Sequence, residues 1–305
     1  MKNVLITGGA GFIGINLINK LKSKSNIYII DLPKKINKNL NFLKDCKLIK
    51  KDITDKKTFE KLPKIKFDRV YHLAAKTSIR MGEENPDDCF KTNINGTKNL
   101  YEWCKIYKPK MLIFSSSMAV YGPISKNIRE DDSCDPISFY GMSKLIGERI
   151  LLKLINHNIK VRIFRLFNVY GPGQNFDNLV QGMLSIYLAQ ILKTKKVYVT
   201  GSLSRARDFI FIGDVINALI STKKKLDNNI FNIGSGKPTT VKSIINLLFN
   251  ITKIKKKIFI QKGHSGDTNV SYANILKIKK SGWRCETSIS SGIDKTIKNF
   301  YTKKL

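Results

Sequence analysis

Thr7-Gly-Gly-Ala-Gly-Phe-Ile-Gly14 decides how this 305-residue chain is read. The apolar run Val4-Leu-Ile before it has the length and β-branching of a buried strand, and the residues after it have helical spacing. A strand that turns through glycines into a helix aims the helix N-terminus at the turn, where unpaired N–H groups and the helix dipole attract phosphate. In that reading Gly8 makes the tight turn, Gly11 lets the backbone approach a pyrophosphate, and Gly14 lets helix and strand pack closely, with Phe12 and Ile13 opening the helix. A second strand over 27–31 ends in Asp31, placed to bond both hydroxyls of an adenosine ribose and to repel a 2′-phosphate. The expected cofactor is therefore NAD rather than NADP.

Outward from the glycines, short β-branched runs alternate with longer helical patterns. Strands are expected over 4–7, 27–31, 47–51, 69–73, 110–115 and 160–167, and helices over 12–23, 87–107 and 139–157. This is the pattern of an α/β protein with a doubly wound parallel (Rossmann) sheet. Beyond Asn168 the pattern loosens into turns at Gly171-Pro-Gly173, Gly201, Gly213 and Gly234-Ser-Gly236. The expected organisation is a dinucleotide-binding domain over 1–167 and a smaller substrate-binding lobe over 168–305, with segments of the lobe returning to the sheet.

Composition excludes several other classes. With 42% hydrophobic and 26% charged residues, the chain is neither disordered nor collagen-like nor a disulfide scaffold. Its apolar runs fall short of the roughly 18–20 residues needed to cross a bilayer. Five cysteines without a Cys-x-x-Cys pair and only three histidines offer no metal-ligand cluster, so no metal is expected. The apolar run after Met1-Lys2 breaks at Thr7-Gly-Gly9, too early for a secretory leader, and a cytoplasmic location is expected. The net charge of +32 would attract polyanions, but only nine of the 55 basic residues are arginine. Lys, Asn and Ile together exceed a third of the chain and the lysines are scattered, so the charge reads as compositional drift rather than a nucleic-acid surface.

The chemistry is carried by two further stretches. Tyr140-Gly-Met-Ser-Lys144 places a phenol and an ammonium one helical turn apart. A phenol is a poor base at neutral pH, and bringing its pKa from about 10 to about 7 takes roughly 4 kcal/mol of differential stabilisation. A neighbouring ammonium and a positive nicotinamide act in that direction. Tyr-x-x-x-Lys alone is also an ordinary amphipathic helix. Ser115-Ser-Ser-Met-Ala-Val-Tyr-Gly122 supplies the companion, at the carboxyl end of a strand, where doubly wound sheets put their ligands.

At this point the chain resembles the extended short-chain dehydrogenase/reductase family, specifically its nucleotide-sugar epimerases and dehydratases. The resemblance runs almost end to end. It includes Thr7 to Gly14, His72-Leu-Ala-Ala75, Thr92-Asn-Ile-Asn-Gly-Thr97, Ser115 to Gly122 and Tyr140 to Lys144. It continues through Arg165-Leu-Phe-Asn-Val-Tyr-Gly-Pro172, Arg207-Asp-Phe209, Asn232-Ile-Gly-Ser-Gly236 and Tyr272-Ala-Asn274. The resemblance implies a catalytic trio of Ser117, Tyr140 and Lys144. It implies cofactor contacts from Leu73, Ala74, Ala75, Asn93, Ser115, Tyr140, Lys144 and Phe167 beside the glycine loop and Asp31. Asp52-Ile53 would flank the adenine, unless Asp52 is an ordinary strand-end acid. Asn168, Asn178, Leu179, Arg207, His264 and Asp267 would meet a nucleotide diphosphate-sugar. The guanidinium of Arg207 suits phosphate oxygens on its own chemistry.

Family dehydratases resemble Thr-Asp-Glu where this chain has Ser117-Met118-Ala119. Eliminating water needs an acid and a base, and methionine and alanine are neither. What the resemblance leaves is epimerisation, most naturally at C4, through a 4-keto sugar with retained NAD. The alternatives are another nucleotide-sugar oxidoreductase or a 2-epimerase on the same scaffold. More remote is a non-catalytic dinucleotide- or polyanion-binding protein. Two residues depart from the pattern: His264 stands where UDP-hexose epimerases look for arginine, and Phe139 where many relatives have proline. His72 is expected to be a packed, hydrogen-bonded residue rather than an acid or base, and Lys76 reads equally as a cofactor contact or a solvated lysine. Cys134 reads as an inert thiol, and Phe209 to Phe211 as buried strand. The helices over 87–107 and 139–157 could pair two copies, as in the family, so a homodimer is expected.

Overall fold

The computed structural model describes residues 1–124, 126–177, 182–255, 257–261 and 269–302. Short runs rich in Val, Ile and Leu form the strands of a parallel sheet, buried through its centre and only half-buried at the 47–50 edge. They are β1 (Lys2–Thr7), β2 (Ser25–Asp31), β3 (Lys47–Lys50), β4 (Arg69–His72), β5 (Met111–Ser117), β6 (Lys160–Leu166) and β7 (Asn229–Ile233). The sheet runs β7-β6-β5-β4-β1-β2-β3. β1 pairs in parallel with both β2 and β4, β2 with β3, and β4 with β5. Thr7 is level with Ile30 on one side and His72 on the other, so these strands finish along one edge. Chain order reverses on either side of β1, and in doubly wound sheets that switch opens a crevice at the carboxyl edge.

Three helices carry the site. α1 (Phe12–Leu21) starts at Gly11 and buries Leu17 and Ile18. The expected helix over 87–107 is three pieces: a short helix Pro86–Phe90, a π-helical turn Lys91–Asn95, and α2 (Gly96–Tyr107). The wide turn carries Asn93, whose buried amide bonds Lys76 and Ser143, a local demand that helical periodicity does not register. α3 (Phe139–Leu152) is capped by the Ser138 hydroxyl, which accepts from the Gly141 N–H, and it tightens into a 3-10 turn at Lys153–His157. Phe139, at the position of the family's proline, packs edge-on against Phe90 with ring centroids 5.7 Å apart.

The chain divides into two compact units. The first is Met1–Gly122, Cys134–Arg165 and Leu219–Phe231; the second is Pro123–Ser133, Leu166–Ala218 and Asn232–Leu305. The segment over 123–133, read from sequence as part of the first domain, belongs to the second. Its two-residue strand Asn127–Ile128 pairs with Val270–Ala273, far away in sequence. The first unit's core lies between sheet and helices, with Leu5, Ile30, Phe67, Val70, Trp103, Leu112 and Ile163 all under 5% exposed. Each such side chain contributes roughly 1.5–3 kcal/mol when buried. Among the described residues no helix is long and apolar enough to cross a membrane.

The second unit is built on Ala206–Phe211, a strand buried at every position. It pairs antiparallel with Pro238–Thr240 and parallel with both Val270–Ala273 and Asn168–Tyr170. Asp208, fully buried in this strand, accepts hydrogen bonds from the Ser235 N–H and hydroxyl and from the Gly236 and Ala273 N–H groups. One carboxylate thus closes the Asn232 to Gly236 turn onto the sheet.

Candidate active site

The glycine loop leaves β1 through Gly8, whose φ of +75° is open to glycine at little cost. A Cβ on Gly8 would stand 2.5 Å from the Ala74 nitrogen, and one on Gly14 would stand 2.5 Å from the Gly8 and Gly9 oxygens. The first turn of α1 gets no side-chain cap from Gly11, so the amides that open the helix at Phe12 and Ile13 have no side chain competing for them. Asp31 ends β2 and accepts from the Ala10 and Leu32 N–H groups, one on each oxygen. Burial pushes its carboxyl above the usual range against those hydrogen bonds, and each oxygen keeps a lone pair for a hydroxyl. Leu73, Ala74 and Ala75 follow β4 beside the loop, with Leu73 buried. These residues fit a dinucleotide: uncapped amides for the pyrophosphate, a backbone cradle that a Cβ would fill, and a carboxylate for the ribose.

Ile53 is buried and occupies the space that a Cβ on Gly96 would fill. The Asp52 carboxylate accepts from the Thr54 N–H and shapes a turn, while the side chain itself is exposed. Asn93 is 3% exposed. Its amide oxygen takes the Lys76 N–H and its amide nitrogen donates to the Lys76 carbonyl and the Ser143 hydroxyl. The side chain of Lys76 pairs with Asp88.

His72 sits between two threonines, with Nδ1 2.7 Å from Thr7 Oγ1 and Nε2 2.9 Å from Thr97 Oγ1, and stacks on Phe114. Thr97 Oγ1 donates to the Asn93 carbonyl, so it accepts from His72 at Nε2. Nδ1 is then the acceptor, and the Thr7 hydroxyl donates to it. Burial and the nearby Lys144 ammonium hold the imidazole down at about 3, so it is neutral. The expectation of a packed, hydrogen-bonded residue agrees with this geometry.

Ser115, Ser116 and Ser117 end β5, and Tyr140 and Lys144 lie one turn apart on α3. Lys144 donates to the Ser115 carbonyl at 2.8 Å, and its ammonium lies 4.6 Å from the centre of the Phe114 ring. Burial draws it down to about 8, opposed first by the Glu148 carboxylate. Burial pushes the Tyr140 phenol up to about 12, opposed by its hydrogen bond with Ser117. The Ser117 hydroxyl also accepts from the Ala119 N–H. After Ser117 the chain turns through Met118–Tyr121 and leaves at Gly122, where a Cβ would collide with the Asp135 carbonyl.

In the second unit, Phe167 is buried and its N–H donates to the Ile233 carbonyl. Asn168 donates to the Asp208 carbonyl, and the Arg207 guanidinium, 8% exposed, donates to the Ala206 carbonyl. Asn178, Leu179, His264 and Asp267 lie outside the described residues. Sequence reasoning gave no role to Glu148, Ser116, Ser143 or Asp208. The only signal for Glu148 was its spacing of four from Lys144, and helices carry many such pairs.

Fold and site together define a nicotinamide dinucleotide-dependent enzyme. The chain belongs to the NAD-dependent epimerase/dehydratase family, whose pattern matches residues 4–234. It is similar to the UDP-glucose 4-epimerase of Thermotoga maritima, solved with UDP-glucose, at 31% identity and a TM-score of 0.92, covering 99% of this chain and 100% of that one. It is similar to the UDP-glucuronic acid 4-epimerase of Bacillus cereus, solved with UDP-glucuronic acid and NAD, at 29% identity and a TM-score of 0.85, covering 99% of each chain. It is also 32% identical to a dTDP-4-dehydro-6-deoxyglucose reductase of Escherichia coli, over 98% of each chain.

Proposed function

We propose that this chain interconverts the C4 epimers of a nucleoside diphosphate-sugar, with UDP as the nucleotide carrier. The observation that carries this is the end of β5. Ser117 ends the strand and its hydroxyl acts on the Tyr140 phenol, Lys144 is bound to the same strand end, and Met118-Ala119 follows with no carboxylate for an elimination. The two solved 4-epimerases support the carrier, one with UDP-glucose and one with UDP-glucuronic acid.

Gly8, Gly11, Phe12, Ile13, Gly14, Asp31, Leu73, Ala74, Ala75, Asn93, Ser115 and Phe167 would hold NAD, with Asp52 and Ile53 toward the adenine, and NAD bound there would supply the hydride acceptor and donor. Tyr140 takes the C4 hydroxyl proton as that carbon becomes a ketone, and Ser117 holds the oxygen in place. Lys144 stabilises the phenolate. Once the 4-keto sugar has turned over, Tyr140 returns the proton and the centre is inverted. Asn168, Asn178, Leu179, Arg207, His264 and Asp267 bind the nucleotide diphosphate-sugar. Two copies pair through α2 and α3, which leave Ile106 and Met142 exposed. The reaction belongs to the cytoplasm, in keeping with five cysteines that are all free thiols.

Purified protein, with no NAD added, is mixed with UDP-glucose, UDP-glucuronic acid, UDP-N-acetylglucosamine or their C4 epimers and followed through the anomeric protons by NMR. Approach to one equilibrium from both sides establishes 4-epimerisation and names the sugar. Reduction of a 4-keto sugar that needs added NADH would instead favour a reductase, the activity named for the E. coli relative.

A further inference from the structure

Glu148 lies one turn beyond Lys144 on α3 and is 1% exposed. A lone carboxylate at that depth would take up a proton. Here it is clamped. Arg165, at the end of β6, brings Nε and Nη2 to the two carboxylate oxygens at 3.0 and 2.8 Å, and Ser116 donates its hydroxyl to Oε1. The guanidinium also lies 4.7 Å from the centre of the Tyr121 ring. One buried ion pair therefore joins α3, β6 and β5. It grips β5 at Ser116, between the Ser115 carbonyl that holds Lys144 and the Ser117 hydroxyl that caps the turn at Ala119.

Stability does not explain such a pair. Removing two charges from water offsets most of their attraction, and well-packed apolar replacements of buried pairs are often neutral or stabilising. The charge environment of Lys144 gives it a reason. Tyr140 and Glu148 share its helix; His72 faces it from β4, and Cys89 from the short helix over 86–90. The imidazole is neutral and burial raises the Cys89 thiol, so the carboxylate clamped by Arg165 is the acidic group that the helix sets one turn from Lys144.

We propose that Glu148, held by Arg165 and Ser116, is a positioning residue that keeps the Lys144 ammonium charged and fixes the end of β5 on which Ser117 stands. The proposal rests on the Tyr140–Lys144 reading above. Arg165 orients the carboxylate, and Ser116 passes that fixed geometry to the strand. Without Glu148, the buried Lys144 gives up its proton more easily and the phenolate loses its counter-charge.

The test reads Lys144 itself. Protein labelled with [ε-13C]lysine is titrated without substrate, and the Lys144 resonance is assigned as the one lost in Lys144→Met. Glu148→Gln keeps the shape and an acceptor oxygen for Ser116 and Arg165. It should move the Lys144 titration to lower pH by about one unit or more. A folded Glu148→Gln protein with an unchanged titration would overturn the proposal. If the uncompensated guanidinium prevents folding, Glu148→Gln/Arg165→Gln supplies a neutral pair read in the same way. Failure of both variants to fold would assign the pair to the scaffold alone and overturn the proposal too. Because no sugar is present, the result is separate from whether the chain epimerises any particular substrate.

Discussion

The Lys144 ammonium is bound to the Ser115 carbonyl at 2.8 Å, which fastens α3 to the end of β5 two residues before Ser117. Tyr140 and Ser117 thus stand on two elements tied by one charged hydrogen bond, a bond of the stronger kind in a dry interior.

Tyr140→Phe keeps the packing and removes only the proton acceptor. We expect kcat to fall by roughly 10²- to 10⁴-fold with bound NAD unchanged. The epimerisation rate and the nucleotide released on denaturation are measured together. A variant that retains most of its rate would remove Tyr140 from the mechanism.

Gly14→Ala sets a methyl group against backbone oxygens 2.5 Å away, and neither Gly8 nor Gly9 has a side chain that could give way. Forcing β1 and α1 apart costs about 1–3 kcal/mol. The variant should melt earlier and purify without dinucleotide. Wild-type NAD content in Gly14→Ala would mean that close helix–strand packing does not shape the phosphate cradle.

His72 gives a pH dependence whose sign follows from its burial. Its folded pKa, about 3, is below the ordinary histidine value of 6.5, so the unfolded chain binds the extra proton. Its contribution is complete above pH 6.5 and is lost as pH falls from there toward 3, by up to about 1.4 kcal/mol per pH unit. Urea unfolding between pH 4 and 8 should show a shallower acid loss for His72→Gln than for the natural protein. Parallel curves would mean that the imidazole is not held neutral in the fold.

Asp208→Asn turns an acceptor of four hydrogen bonds into a group that also donates. At least one N–H of Ser235, Gly236 or Ala273 then faces an NH₂ group. Leaving such a buried donor unpaired costs about 1–3 kcal/mol. Calorimetry should place the loss in the second unit, with the glycine loop and α1 of the first left intact. An unchanged melting temperature would contradict the role given to Asp208.

The parallel sheet was legible because short β-branched runs such as Val4-Leu-Ile6 and Ile27 to Ile30 alternate with helical patterns, and the glycine loop marks where the first turns into a helix. That Tyr140 and Lys144 share a helix face was legible from their spacing, whereas setting Ser117 beside them rested on resemblance. Asn93 was reached through resemblance, but its π-helical setting has no signature in apolar periodicity. Glu148, Ser116 and Arg165 lie on α3, β5 and β6, and Asp208 collects partners from 235, 236 and 273. Such groups are joined by folding rather than by spacing, so local pattern cannot show them. The strand at 127–128 was missed for the same reason, since two residues carry no period.

β7 reaches the edge of the parallel sheet only after the chain has passed through 166–218, yet residues up to Phe231 count with the first unit. During synthesis the ribosome must therefore deliver nearly half of the second unit before the last strand beside β6 exists. Until then β6 presents an unpaired backbone edge, the kind of surface that recruits strands from other chains. A fragment cut after Arg165 would keep the glycine loop, Ser117, Tyr140 and Lys144 and would still leave that edge bare. Excising this dinucleotide domain as a soluble module thus requires grafting the 219–231 strand back on, not merely choosing a cleaner place to stop.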